Sequence, residues 1–210
     1  MQAIEKIPFT NNWIIWVMLF LFLIIFILRV ISYKQLKYHA LALFNISRIE
    51  DEEVQNSRFS LFQILFFVLH VTLFAVLFLI VKFKYITSFT FSFANFTNIF
   101  IGIFFFLLIK KGVEQVVLLN FGLRKALNFF LITKNETLNS FSIFTYCFMV
   151  LLLFSDIPFL VVSSILALLF IYRLALITVK NNNLIFSSLF YFILYLCTVE
   201  IAPLFILFKM

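Results

Sequence analysis

The sequence predicts an all-α polytopic membrane protein with about six transmembrane helices and a cytoplasmic interfacial amphipathic helix. Two observations carry that expectation. Of 210 residues, 65% are hydrophobic and 12% charged, whereas a soluble domain is roughly a quarter charged. So little polar side chain cannot cover a water-facing globule, and lipid must solvate most of the surface. The apolar residues also gather in runs near the roughly 20 residues that a helix needs to cross about 30 Å of hydrocarbon. In lipid a helix satisfies its own backbone groups, so each run is expected to be helical.

The expected spans are 13–31, 59–81, 93–109, 138–154, 159–179 and 184–208, forming one integral membrane domain over 1–210. The first carries Trp13 and Trp16, a residue type enriched at membrane–water interfaces. Lys6 precedes it and no small-residue cleavage site follows, so it reads as an uncleaved span and not a signal peptide. Stretch 32–57 reads as a solvated loop, and its acidic run Glu50, Asp51, Glu52 and Glu53 offers a docking point for a cytoplasmic partner. The fourth span is short but uncharged. Ahead of it, 113–133 sets Val116, Leu119, Leu123, Ala126, Leu127 and Phe130 on one helical stripe. Glu114, Asn120, Arg124, Lys125 and Asn128 take the other side, which suits a helix lying in the headgroup layer. Burying that segment would bring Glu114, Arg124 and Lys125 into or near lipid, the costlier arrangement. The 34 phenylalanines are expected mainly as lipid-facing filler. Ser163 and Ala167 form a small pair that lets the fifth span approach a neighbour closely.

Charge sets the orientation. Twelve of the 16 Lys and Arg residues fall in one set of inter-span segments and four (Lys6, Lys82, Lys84 and Lys209) in the other. The positive-inside rule then places both termini in the periplasm, with the protein in a bacterial inner membrane. A net charge of +7 favours anionic lipid headgroups at the cytoplasmic loops as partners. The cations lie dispersed at helix ends, which excludes a nucleic-acid footprint. Three glycines and three prolines are few for a transporter built on broken helices. Cys147 and Cys197 sit in apolar runs and read as inert small residues. Serine-elbow, phosphate-loop and zinc-protease motifs are lacking, and no His or Cys residues fall at metal-ligand spacing. Neither an enzyme nor a cofactor or metal is expected.

Ionisable residues inside the membrane are the remaining candidates, because each costs about 2.5–3.5 kcal/mol unless it faces protein. They are His70, Arg173 and Glu200, with Thr198 and Tyr195 beside the last. Helical rise places Arg173 and Glu200 about 12 Å apart in depth, and His70 about half as far from Glu200. The expectation is therefore a Glu200–His70 pair, with Arg173 snorkelling toward the cytoplasmic headgroups. Pro203 cannot donate to the carbonyl of Val199, so a kink and a free acceptor adjoin the carboxyl group.

The stretch "YLCTVEIAP" (195–203) places Tyr195, Leu196, Cys197, Glu200, Ile201 and Pro203 in a Tyr-Leu-Cys-x-x-Glu-Ile-x-Pro pattern. It resembles the C-terminal motif of an uncharacterised family of multi-pass inner-membrane proteins of the Bacteroidota. The resemblance implies a polytopic bacterial membrane protein and brings no activity. Two functions are therefore weighed: a non-enzymatic small subunit or scaffold of an envelope complex, and a proton- or ion-conducting component using Glu200 and His70. A membrane-protein partner or a homo-oligomer follows from the first.

Overall fold

The computed structural model describes residues 12–43, 61–85, 90–120, 124–155 and 157–180. These residues form six helices: α1 (Asn12–Ile31), α2 (Tyr33–Leu41), α3 (Leu61–Tyr85), α4 (Phe93–Asn120), α5 (Arg124–Phe154) and α6 (Phe159–Lys180). Five of them, all but α2, contain a stretch long and apolar enough to cross a membrane. The protein is an all-α polytopic membrane protein. The expected span at 184–208 lies outside the described residues.

Burial separates the central helix from the lipid-facing ones. α3 buries side chains all round its axis, among them Phe66, Leu69, Val71, Leu73, Val76 and Leu79, as a helix at the centre of a bundle must. It packs against α1, α4 and α5. α1 buries only the stripe Ile14, Met18, Leu21, Ile24 and Leu28, at the three-and-four spacing of one helical face. Its opposite side exposes Trp16, Phe20, Phe22, Phe26 and Val30, which suits acyl chains. α6 likewise buries one stripe: Val162, Leu166, Arg173 and Ile177.

The phenylalanines divide between two roles. Phe22 and Phe26 are exposed as lipid-facing filler. Others pack: Phe96, Phe100 and Phe104 form an i, i+4 series along α4, and Phe104 meets Phe67 of α3 edge-on with centroids 5.8 Å apart. Such offset and edge-on pairs add about 0.5–1.5 kcal/mol beyond burial. The two tryptophans also divide. Trp16 is exposed, whereas Trp13 turns inward onto Phe91, Phe93 and Phe96.

Two segments differ from the sequence expectation. Stretch 32–57 opens not as a loop but with α2, capped by the Ser32 side chain accepting from the Gln35 amide. And 113–133 is not one interfacial helix: its first residues continue α4 and its last ones open α5. The burial cost that argued against this arrangement is offset by pairing, since Glu114 meets Lys134 at 2.7 Å. The helix with an interfacial character is instead α2, which exposes Tyr33, Lys34, Lys37 and Leu41 and buries His39.

α2 is held against the bundle by hydrogen bonds from helices about 100 residues distant in sequence. The Ser140 hydroxyl of α5 donates to the Ala40 carbonyl (2.9 Å) and accepts from the Leu43 amide (3.4 Å). The Tyr172 hydroxyl of α6 donates to the Leu43 carbonyl at 3.2 Å. Ser140 is fully buried, so Ser140→Ala is expected to cost about 1–3 kcal/mol. Faster amide exchange confined to 33–43 would mark the loss, and unchanged exchange there would refute the clamp.

Candidate functional site

The ionisable groups buried among the described residues gather toward one end of the bundle, where α2, the C-terminal part of α4, the N-terminal part of α5 and the C-terminal part of α6 meet. α5 supplies most of them. Its segment from Thr133 to Ser142 buries Thr133, Lys134, Glu136, Thr137, Ser140 and Ser142 on a face that hydropathy would assign to water. That face is satisfied in part, the Thr133 hydroxyl having no hydrogen-bond partner among the described residues. Thr137 donates to the Thr133 carbonyl and Ser142 to that of Leu138. The Tyr38 hydroxyl of α2 donates to a Glu136 carboxylate oxygen at 3.3 Å.

The centre of this cluster is the ion pair. Lys134 Nζ donates to Glu114 Oε1, and their side chains are 5% and 10% exposed. Charges so enclosed keep much of their mutual attraction, because little water screens them. Arg173 lies beside the pair, 4% exposed, with Nη2 donating to the Lys134 carbonyl at 3.4 Å. Its guanidinium carbon stands 6.0 Å from the Phe170 ring centroid. Arg173 therefore does not snorkel away from the bundle. Helical register explains this, since Arg173 shares the inward stripe of Val162, Leu166 and Ile177.

His70 occupies the middle of α3 and is 5% exposed. Its Nδ1 is hydrogen-bonded to the Phe66 carbonyl one turn earlier. A neutral imidazole carries one N–H, so a proton on Nδ1 leaves Nε2 as a lone-pair acceptor. Among the described residues no donor meets Nε2, and the Leu138 carbonyl near the ring cannot supply one. The expected partner, Glu200, lies outside the described residues, as do Thr198, Tyr195 and Pro203. Lys111 and Arg173 are the charged groups felt at His70 among the described residues.

A second histidine completes the site. His39 of α2 stacks on Phe62 at 5.4 Å and meets Phe66 edge-on at 5.6 Å. Burial among these rings pushes its pKa down from 6.5 to about 4. The fold holds the ring neutral, so protonation favours the detached state. This contribution is complete above about pH 6.5 and disappears as pH falls toward 4. Acidification through that window should loosen α2, raising amide exchange at 33–43. His39→Phe keeps the aromatic contact and should remove that part of the response. An identical pH profile in the variant would assign the response to another group.

The cluster borders a cavity of about 590 Å³ between α3, α4, α5 and α6. His39, His70, Lys111, Glu114, Lys134 and Arg173 line its polar end. Phe74, Phe78, Met149, Leu152 and Val162 line its apolar length. Ser163 and Ala167 also line this cavity. Glu114 and Lys134 were not singled out by sequence as a pair. The available signal was an opposite-charge pair flanking the polar segment between two apolar runs.

A family model described as a domain of unknown function, DUF4271, matches residues 14–210. The chain belongs to the DUF4271 family. The match covers every described helix except the first two residues of α1. Neither a curated protein nor a solved structure matches the chain.

Proposed function

We propose that this DUF4271 protein is a non-enzymatic small subunit or scaffold of an envelope complex in the inner membrane of a Bacteroidota bacterium. The observation that carries the reading is the clamped α2. A nine-residue helix tied to α5 by Ser140 and to α6 by Tyr172 forms a fixed platform at the basic end of the bundle. The charge asymmetry turns that end toward the cytoplasm. The platform presents Tyr33, Lys34, Lys37 and Leu41 outward, a cationic and aromatic face suited to a partner subunit bordered by anionic headgroups. Ties of this kind fix geometry, which a scaffold needs. Cross-linking in native membranes followed by purification should recover a stoichiometric membrane-protein partner. Lys34→Glu with Lys37→Glu should release it while leaving the protein folded. Recovery of the chain alone would overturn the reading.

Proton or ion conduction is the second reading, favoured by His70 Nε2 within α3, which has no hydrogen-bond partner among the described residues. It requires Glu200 to reach that nitrogen directly or through water. Reconstituted protein would then pass protons, and Glu200→Gln would stop the flux. Sealed vesicles with no flux would exclude it.

A further inference from the structure

We propose that the outer face of the α1–α2 corner, from Arg29 to Leu41, docks a carboxylate-bearing segment of a partner subunit, an inference that rests on the scaffold reading and names its partner's chemistry. The face is built from three cations in an apolar frame. Lys34 and Lys37 stand one turn apart on α2 and are exposed, with Leu41 a further turn along the same stripe. Arg29 is exposed near the end of α1. Its guanidinium carbon stands 5.9 Å from the centroid of the Tyr33 ring, across the break that Ser32 makes between the helices. Attraction to the ring restrains the planar fork, which matches a carboxylate with two parallel N–H donors. Val30, Tyr33 and Leu41 are 71%, 58% and 42% exposed around these charges, and Tyr with Arg is the pairing that most often anchors a protein interface.

Charge complementarity selects an acidic ligand. Among residues with described side chains the carboxylates are Glu114 and Glu136, and both are buried inside the bundle. The cations of the α1–α2 corner therefore face outward without a carboxylate of the described residues beside them on that surface. The 20 residues of α1 rise about 30 Å, the thickness of the hydrocarbon, so α2 begins at headgroup level. Preorganisation selects a protein segment over lipid headgroups. Anionic lipids diffuse and gather around basic residues at any spacing, each residue contributing on its own. Here the spacing is fixed. Ser32 caps α2 at one end, and Ser140 and Tyr172 tie its other end to α5 and α6. Holding the row in advance removes the cost of ordering it for a ligand whose own charges keep a matching register. Carboxylates on successive turns of a partner's helix have that register. The chain's own acidic run, Glu50 to Glu53, lies outside the described residues and is the competing occupant.

The test treats the full chain in native membranes with two cross-linkers of different chemistry. A benzophenone-bearing residue in place of Leu41 captures whatever adjoins the face, whereas a zero-length carbodiimide joins a lysine amine only to a carboxylate. Both are expected to capture the same partner, with peptide mass spectrometry placing the carbodiimide bond between Lys34 or Lys37 and an Asp or Glu of that partner. Lys34→Arg with Lys37→Arg keeps the charge and removes the amines, so the carbodiimide adduct should vanish and the benzophenone adduct persist. Lys34→Gln with Lys37→Gln should lower benzophenone capture about fivefold, which is about 1 kcal/mol for two exposed ion pairs. A partner captured by benzophenone but never by carbodiimide would overturn the carboxylate assignment and leave the scaffold reading standing. A carbodiimide bond to Glu50, Asp51, Glu52 or Glu53 of this chain would give the face to the chain's own acidic run and overturn the proposal. Benzophenone adducts carrying phospholipid alone would overturn both readings.

Discussion

Glu114→Ala should destabilise the folded protein by about 3–5 kcal/mol, the usual cost of stranding one member of a buried ion pair. Enclosure decides the size of the effect. Lys134 Nζ lies 2.7 Å from Glu114 Oε1, and the two side chains are 5% and 10% exposed. An exposed pair would contribute at most about 1 kcal/mol. Removing the carboxylate leaves a lysine among helices with little water to solvate it. Arg173, which donates to the Lys134 carbonyl, lies beside that lysine. Joint replacement, Glu114→Leu with Lys134→Met, removes both charges at similar volume and should be close to neutral. Reversible unfolding in mixed micelles, run as a double-mutant cycle, measures both outcomes. A single-variant cost below about 1 kcal/mol would mean that water reaches the pair.

Phe66→Ala is the second large effect, expected at about 3 kcal/mol. Truncation of a buried phenylalanine in a soluble core costs about 3–5 kcal/mol. The lower end applies here because lipid tails are as apolar as the side chain, so transfer contributes little and lost packing contributes most. Phe66 is 1% exposed and touches the rings of Phe62, His39 and His70. Its loss removes the surface on which α2 rests, so His39 should regain solvent and titrate nearer its ordinary pKa. Phe26→Ala, at a residue 57% exposed on α1, should change stability by no more than about 0.5 kcal/mol. Equal effects at the two positions would show that Phe66 is not part of a packed core.

Much of the helical layout was legible before any coordinates. The expected spans 13–31 and 159–179 fall within one residue of α1 and α6 at each end. Both are long apolar runs bounded by polar residues, a pattern that lipid enforces locally. The expected span 138–154 is much shorter than α5, which begins at Arg124. The reason is the buried polar face at Thr133, Lys134, Glu136 and Thr137. A hydropathy window scores such residues as exposed, because it cannot see a partner on another helix. α2 was missed for a related reason. Its polar composition resembles a loop, and its hold on the bundle comes from Ser140 and Tyr172.

The candidate site was legible only in part. His70 and Arg173 were singled out because a charged or polar group within an apolar run is costly unless protein surrounds it, and both are buried. Their surroundings were not readable. Depth along the helix follows from residue number, but rotation about the axis and the identity of the facing helix do not.

Sequence by itself determined that this chain is a helical, membrane-spanning protein. Those properties arise residue by residue, from the transfer of side chains and peptide groups into lipid, and need no knowledge of neighbours. Only the tertiary structure decided that Glu114 belongs to Lys134, that Arg173 turns inward, and that the cavity has one polar end and one apolar length. Pairings across 20 and 39 residues depend on how whole helices rotate and pack. That choice is made by the sum of many weak contacts, of which no single stretch of sequence carries enough.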